Sequence, residues 1–188
     1  MISDIFKVPI YQTNVTSDFK NLIDCLKKIS EEESGVKKSN IGGWQSNNLV
    51  EKEELQNIIS SLQMHFLAFS SLLNCQIDIK PSNIWANINR YKDYNRDHIH
   101  PGSKLSGVYY IKVPKDSGDI YFINPAAKYI ALTMGAEYCS VFDTSYNFSE
   151  YITPNVGDLF LFPSWLEHGV LPNMNISEER ISLSFNLN

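Results

Sequence analysis

Two histidines stand two residues apart in Asn95-Arg96-Asp97-His98-Ile99-His100-Pro101, and a third, His168, lies far along the chain in Pro163-Ser164-Trp165-Leu166-Glu167-His168. Neutral imidazole is a ligand for iron, zinc, copper and nickel. In a strand, residues i and i+2 point to the same face, so His98 and His100 can aim both rings at one spot. Three protein ligands leave positions on a metal ion open to water, a small molecule or oxygen. By itself His-x-His also fits a surface pair or a structural zinc site. Asp97 points to the opposite face of such a strand and ranks below His100. His65 falls on the apolar side of a helical repeat and reads as a helix residue, not a ligand.

A second group lies near the end of the chain. Arg180-Ile181-Ser182-Leu183-Ser184-Phe185 alternates polar and apolar residues. Arg180 and Ser182 share one face, which need not be the metal side. On a strand beside that of His168, a guanidinium could clamp a carboxylate through two parallel hydrogen bonds, helped by a hydroxyl. The competing reading of Arg180 is a surface ion pair with Glu178 or Glu179.

These residues need a frame. The chain has 188 residues, enough for one domain with a sizeable core. With 43% hydrophobic and 20% charged residues the composition is that of a soluble globular protein, which argues against disorder. The net charge of -5, with no basic stripe, argues against a nucleic-acid or anionic-membrane surface. Cys25, Cys75 and Cys139 are scattered, form no C-x-x-C and read as free thiols of a reducing compartment. No signal peptide opens the sequence and no apolar run spans a bilayer, so a cytoplasmic location is expected.

An extended segment opens the chain. Ser17 and Asp18 are candidate caps for a helix from Phe19 to about Glu33, stopped at Gly35. Glu51 to about Leu73 reads as a second, amphipathic helix. Between them, Gly42-Gly43-Trp44-Gln45-Ser46 is either a packing corner, the preferred reading, or the rim of a substrate cleft. Strand patterns follow at 76–80, 84–91, 105–113, 118–123, 138–142, 146–152, 159–162 and 180–187, separated by turn residues. About eight short strands after two helices predict a mainly β fold, a jelly roll with a helical cover. A single domain over 1–188 is expected, with the cover at about 14–75 and the core at about 76–188. Loops 37–49, 91–97 and 124–137 are the expected walls of a substrate pocket.

Taken in order, Trp85-x-Asn87, Asn95-x-x-His98-x-His100-Pro101, Ser106-Gly107-Val108-Tyr109-Tyr110, Gly157-Asp158-Leu159-Phe160-Leu161-Phe162-Pro163-Ser164-Trp165-x-x-His168 and Arg180-x-Ser182-x-Ser184-Phe185-Asn186 resemble the 2-oxoglutarate- and iron(II)-dependent oxygenases related to the prolyl hydroxylases. Members of that group are found in marine bacteria and their phages. The resemblance runs from roughly Pro9 to the last strand and includes Gly42 to Ser46. It implies a double-stranded β-helix and the use of Fe(II), 2-oxoglutarate and O2. It also implies a hydroxylase that couples decarboxylation of 2-oxoglutarate to succinate with substrate hydroxylation, prolyl-type hydroxylation being one candidate. The substrate would be a small molecule or a peptide or protein, the location the cytoplasm (the host's, for a phage protein).

The same resemblance assigns His98, His100 and His168 to the metal. It gives Arg180 the distal carboxylate of 2-oxoglutarate, with Ser182 assisting and Tyr110 touching it. Core packing with a satisfied hydroxyl is the alternative for Tyr110. Asn87 belongs with the cosubstrate, and Asn95, Trp44 and Trp165 with the substrate, although Trp165 is more often a core residue. No side-chain acid or base is needed to remove a hydrogen atom, so none is nominated. One departure stands out. The broader superfamily has Asp or Glu where this chain has His100. The site is then a three-histidine one, or His100 stands behind the metal. Two other readings follow: a three-histidine metal enzyme that ignores 2-oxoglutarate, and a binding module that has lost its metal. Because imidazole must be neutral to bind, metal affinity is expected to weaken at acid pH.

Overall fold

The computed structural model describes residues 7–74, 79–134 and 148–188. Most of the strand expected at 76–80, all of that at 138–142, and Cys75 and Cys139 lie outside these residues. Helix α1 spans Phe19–Glu32 and buries Leu22, Leu26 and Ile29, one side of the helical repeat. Asp18 caps it, its carboxylate accepting from the Asn21 N–H at 3.2 Å. Ser17 does not cap; its hydroxyl pairs with that of Tyr109 at 2.8 Å. The second helix starts later than the periodicity predicts. A 3-10 turn at Glu53–Leu55 precedes α2, Gln56–Leu72, which buries Ile58, Leu62, Phe66 and Phe69.

Eleven strands are present among the described residues: β1 Tyr11–Asn14, β2 Asn40–Ile41, β3 Trp44–Gln45, β4 Pro81–Asn89, β5 Tyr94–His98, β6 Leu105–Lys112, β7 Ile120–Ile123, β8 Ser149–Ile152, β9 Asp158–Pro163, β10 His168–Val170 and β11 Arg180–Leu187. They form two antiparallel sheets, ordered β1-β9-β6-β11-β4-β3 and β2-β5-β10-β7-β8. A short helix, α3 Ala127–Met134, lies within the expected 124–137 loop. The arrangement is a mainly β, double-stranded β-helix.

Period-two alternation divides the larger sheet into two environments. Ile84, Ala86 and Ile88 of β4, Tyr109 and Ile111 of β6, and Ile181, Leu183 and Phe185 of β11 join α1 and α2 in one apolar cluster. The opposite face looks toward the second sheet. There Val108, Tyr110, Phe160 and Phe162 meet Ile120 and Phe122 in a second, smaller cluster. Beside that cluster the inner face turns polar, with Asn87, Asn89, Arg180 and Ser182 all buried. Burying polar groups without partners is costly, so this polar half marks the site. No helix among the described residues is long and apolar enough to cross a membrane.

Candidate active site

Strands β5 and β10 pair antiparallel with His98 directly opposite His168. His100 lies two residues past the end of β5, in a turn whose backbone is held by a bond from the His100 N–H to the Ser164 carbonyl at 2.9 Å. Pairing and turn together bring three rings to one point. Their nearest ligand atoms all lie within 4.8 Å of one another. The His100 and His168 Nε2 atoms are 3.3 Å apart. Ring centroids are 4.4 Å apart for His98 and His168, and 4.9 Å for His98 and His100.

The backbone sets the tautomers. His98 Nδ1 donates to the Arg96 carbonyl and His168 Nδ1 to the Leu166 carbonyl, both at 2.8 Å. With the proton on Nδ1, the Nε2 lone pair is free to ligate. Burial is the main force lowering all three imidazole pKa values. It takes His168 to about 3, with further repulsion from His98, and His100 to about 4, with further repulsion from His98 and Lys38. For His98 the lowering by burial is partly opposed by the bond to Arg96 and by Asp97. Near neutral pH the cluster is therefore three uncharged donors, the form a divalent first-row ion requires.

Facing them, β4 and β11 run in register as polar rungs: Asn186 with Asn83, Ser184 with Trp85, Ser182 with Asn87, and Arg180 with Asn89. Arg180 is 2% exposed, which overturns the surface ion-pair reading. Glu178 and Glu179 pair with lysines instead, Glu179 with Lys27 at 2.5 Å and Glu178 with Lys112 at 3.3 Å. The guanidinium donates to the carbonyls of Ser117, Gly118 and Leu171. No carboxylate among the described residues lies within ion-pair reach of it. Burial lowers its pKa, opposed by Tyr110 and Asp93.

Two more polar atoms point to a missing ligand. The Tyr110 hydroxyl is fully buried and has no partner among the described residues, so core packing with a satisfied hydroxyl does not describe it. Burial, partly opposed by Arg180, pushes it up to about 12, so it is a neutral phenol. Asn87 donates to the Ser184 hydroxyl at 3.1 Å, but its own carbonyl oxygen is unpaired. Unpaired buried polar atoms are rare and call for an explanation. His98, His100, His168, Tyr110, Asn87, Ser182 and Arg180 line one cavity of about 480 Å³, counting its open mouth. Nitrogen donors at one point, with a guanidinium and a phenol in the same chamber, fit a divalent metal bound beside a small carboxylate.

The remaining expectations divide. Asn95 lines the cavity and donates to the Ser39 hydroxyl at 3.3 Å. Trp44 lies at a corner instead: its indole N–H donates to the Glu33 carbonyl at 2.8 Å and its ring packs on the helical core. A Cβ on Gly35 would come within 2.7 Å of that indole nitrogen, so the glycine admits the ring. Trp165 is 56% exposed, which overturns the core reading, and it lines a separate depression with Ile99 and Pro125. Asp97 accepts a hydrogen bond from Tyr121, and His65 pairs with the Tyr11 hydroxyl at 2.9 Å. Sequence reasoning missed Trp85, whose ring centroid lies 5.6 Å from that of His100, and Asn89. Both share a strand face with Asn87, a signal that alternation already carried.

Comparison with known proteins follows the same lines. The family model for the 2OG-Fe(II) oxygenases matches residues 83–186. No curated protein sequence matches the chain. Among solved structures, a Pseudomonas putida prolyl-4-hydroxylase is similar at 17% identity and a TM-score of 0.62, over 96% of this chain and 92% of that one. A viral collagen prolyl hydroxylase from Paramecium Bursaria Chlorella virus-1 is similar at 14% identity and a TM-score of 0.61, over 95% and 94%. A non-heme α-ketoglutarate-dependent epimerase from nogalamycin biosynthesis is similar at 10% identity and a TM-score of 0.69, over 96% and 76%. These structures share the fold. The family match spans more than half of the chain and contains the three histidines and Arg180, so this chain belongs to the 2OG-Fe(II) oxygenase family.

Proposed function

We propose that the protein is an Fe(II)- and 2-oxoglutarate-dependent hydroxylase. The observation that carries this reading is Arg180, a buried guanidinium without a carboxylate partner among the described residues, in the same chamber as three converging imidazoles. His98, His100 and His168 would hold the iron. Arg180 would take the distal carboxylate of 2-oxoglutarate through its free N–H groups, with the Ser182 and Tyr110 hydroxyls donating to the same group. The unpaired Asn87 carbonyl would face the cosubstrate chain. Iron(II) with 2-oxoglutarate supplies the activation of O2, giving succinate and CO2 and turning a substrate C–H into C–OH.

The chain's own part is positioning and exclusion. Two backbone carbonyls fix the His98 and His168 tautomers. Arg180 would offset the charge of one carboxylate of a dianion where water is scarce, which strengthens the attraction. Val108, Ile120 and Phe162 form the apolar side of the chamber. No side-chain proton transfer is assigned. The prolyl hydroxylases among the similar folds favour a hydroxylation outcome, while the epimerase shows that the fold also serves reactions other than hydroxylation.

Anaerobic titration of the iron-loaded protein with 2-oxoglutarate tests the reading: a weak visible charge-transfer band is expected. Succinate formation should disappear in His168→Ala. If the band fails to form and Arg180→Ala leaves turnover intact, the three-histidine enzyme that ignores 2-oxoglutarate replaces this proposal. The all-imidazole ligand set favours that second reading.

A further inference from the structure

The chamber opens into a wider cleft of about 1010 Å³ counting its mouth, and Ser39, Trp85, His98 and His100 line both. Whatever reacts beside the imidazoles must lie in this cleft. One part of its wall is built of carboxamides. Asn83 and Asn186 stand opposite each other on β4 and β11, at the outer end of the polar rungs, and Gln45 of β3 joins them.

These amides are poorly served by the protein. Gln45 is 3% exposed, yet its Oε1 has no hydrogen-bond partner among the described residues. Asn186 uses its carbonyl oxygen to accept from Ser106 at 2.9 Å, which leaves its NH2 for a ligand. A carboxamide offers a donor and an acceptor side by side, the pattern a peptide-type amide complements. Leaving a buried amide unmet costs stability that a ligand can restore.

The cleft also carries positive charge. Lys38 and Arg96 line it, and neither forms an ion pair among the described residues. Arg96 only touches the Lys38 carbonyl, at 3.4 Å. Asp97 also borders the cleft, but its carboxylate turns to the far face of the sheet, where it accepts from the Tyr121 hydroxyl. A positive cleft in a chain of net charge -5 selects anions and speeds their capture.

We infer that the cleft takes an acidic, amide-bearing substrate: a carboxylate within a few bonds of a peptide-type amide. The amide pairs with Gln45 and Asn186, and the carboxylate faces Lys38 and Arg96. The source is either an aspartyl or glutamyl residue of a peptide or a free N-acylated acidic amino acid. The inference rests on the proposed reading of the adjoining metal chamber.

The test uses full-length protein loaded with redox-inert Zn(II) and 2-oxoglutarate, titrated while the tryptophan indole N–H resonances are followed by NMR. The probes are acetyl-aspartate N-methylamide, its asparagine isostere, and a glycine-flanked aspartyl hexapeptide. The aspartate probe should bind about tenfold more tightly than the asparagine probe, a difference of about 1.4 kcal/mol. Lys38→Glu with Arg96→Glu should abolish that preference while leaving 2-oxoglutarate binding unchanged. Gln45→Leu should weaken both blocked amino acids alike. A tighter hexapeptide identifies a peptide source, and equal affinity identifies the free acidic amide. Equal binding of aspartate and asparagine probes, no perturbation by either at millimolar concentration, or a preference that survives charge reversal overturns the inference. If 2-oxoglutarate itself does not bind, the chamber reading fails. The same comparison on the zinc-loaded protein then judges the cleft alone.

Discussion

The Tyr121 hydroxyl donates to the Asp97 carboxylate across Gly169. Tyr121 lies on β7 and Asp97 on β5, the two neighbours of β10, and β10 carries His168. The bond therefore straps three strands together on the face opposite the imidazoles. Only a residue without a side chain leaves room beneath it. A Cβ at position 169 would come within 2.6 Å of Tyr121 Cζ and 3.0 Å of the Asn95 carbonyl oxygen.

Gly169→Ala is expected to lift the tyrosine, loosen the His98–His168 register and destabilise the protein by about 1–3 kcal/mol through overpacking. Tyr121→Phe removes only a half-exposed hydrogen bond and should cost about 1 kcal/mol. Thermal denaturation gives the order of the two variants. Zinc affinity, measured by chelator competition, should fall more in Gly169→Ala.

Tyr110→Phe should separate folding from ligand binding. The hydroxyl has no protein partner among the described residues, so its removal should leave stability unchanged or raise it by about 1 kcal/mol. Affinity for 2-oxoglutarate should fall by about tenfold, the value of a lost bond to a charged group. Denaturant titration and calorimetry on the same samples should move in opposite directions.

Arg180→Lys keeps the charge and loses the planar fork. With metal present, 2-oxoglutarate at about 100 times its Kd should stabilise the natural protein by about 2.7 kcal/mol. The lysine variant should lose most of that gain. An equal thermal shift in both proteins would remove Arg180 from the carboxylate.

The histidines dictate a pH dependence whose sign can be worked out. Folded His100 and His168 titrate at about 4 and about 3, against 6.5 for the free side chain. Between those values the unfolded chain binds more protons than the folded one, so stability rises with pH there. Stability should be full above about pH 6.5 and decline as pH falls toward 4 and then 3. Because folded His100 and His168 stay uncharged, zinc binding should persist at pH 5 to 6 and fail only further down. Urea denaturation and zinc competition across the range check both statements. His168→Phe should flatten the stability profile.

Much of this arrangement was legible in the sequence. Alternation placed Arg180 and Ser182 on one face, but it identifies shared faces and not what covers them. Only the pairing of β11 with β4 and β6, and the helices on the far side, decide that the polar face looks inward. His98 and His100 were read as strand neighbours. The structure ends the strand at His98 and brings His100 in by a turn, so the convergence was right and its cause was not. Strands β2 and β3 have two residues each and leave no period to detect, so 37–49 reads as a loop, although its place along the cleft is as expected. Helix α3 spans eight residues, within the range of an ordinary loop. The exposure of Trp165 departs from the core reading because average burial of a residue type says nothing about one turn at a strand end.

The alternation of β11 has a final consequence for how this protein can change. Arg180, Ser182, Ser184 and Asn186 serve the chamber, while Ile181, Leu183, Phe185 and Leu187 serve the helical core. Deleting one residue in the middle of the strand would exchange the two sets, turning hydroxyls into oil and leucine toward the imidazoles. A single substitution here touches one set or the other, but a one-residue shift of register within the strand would cost the fold and the chemistry in one stroke. The segment before it is tethered by the buried Asn173, whose amide donates to the Asn89 and Glu178 carbonyls, so an insertion should be borne best at its exposed tip, at Ile176.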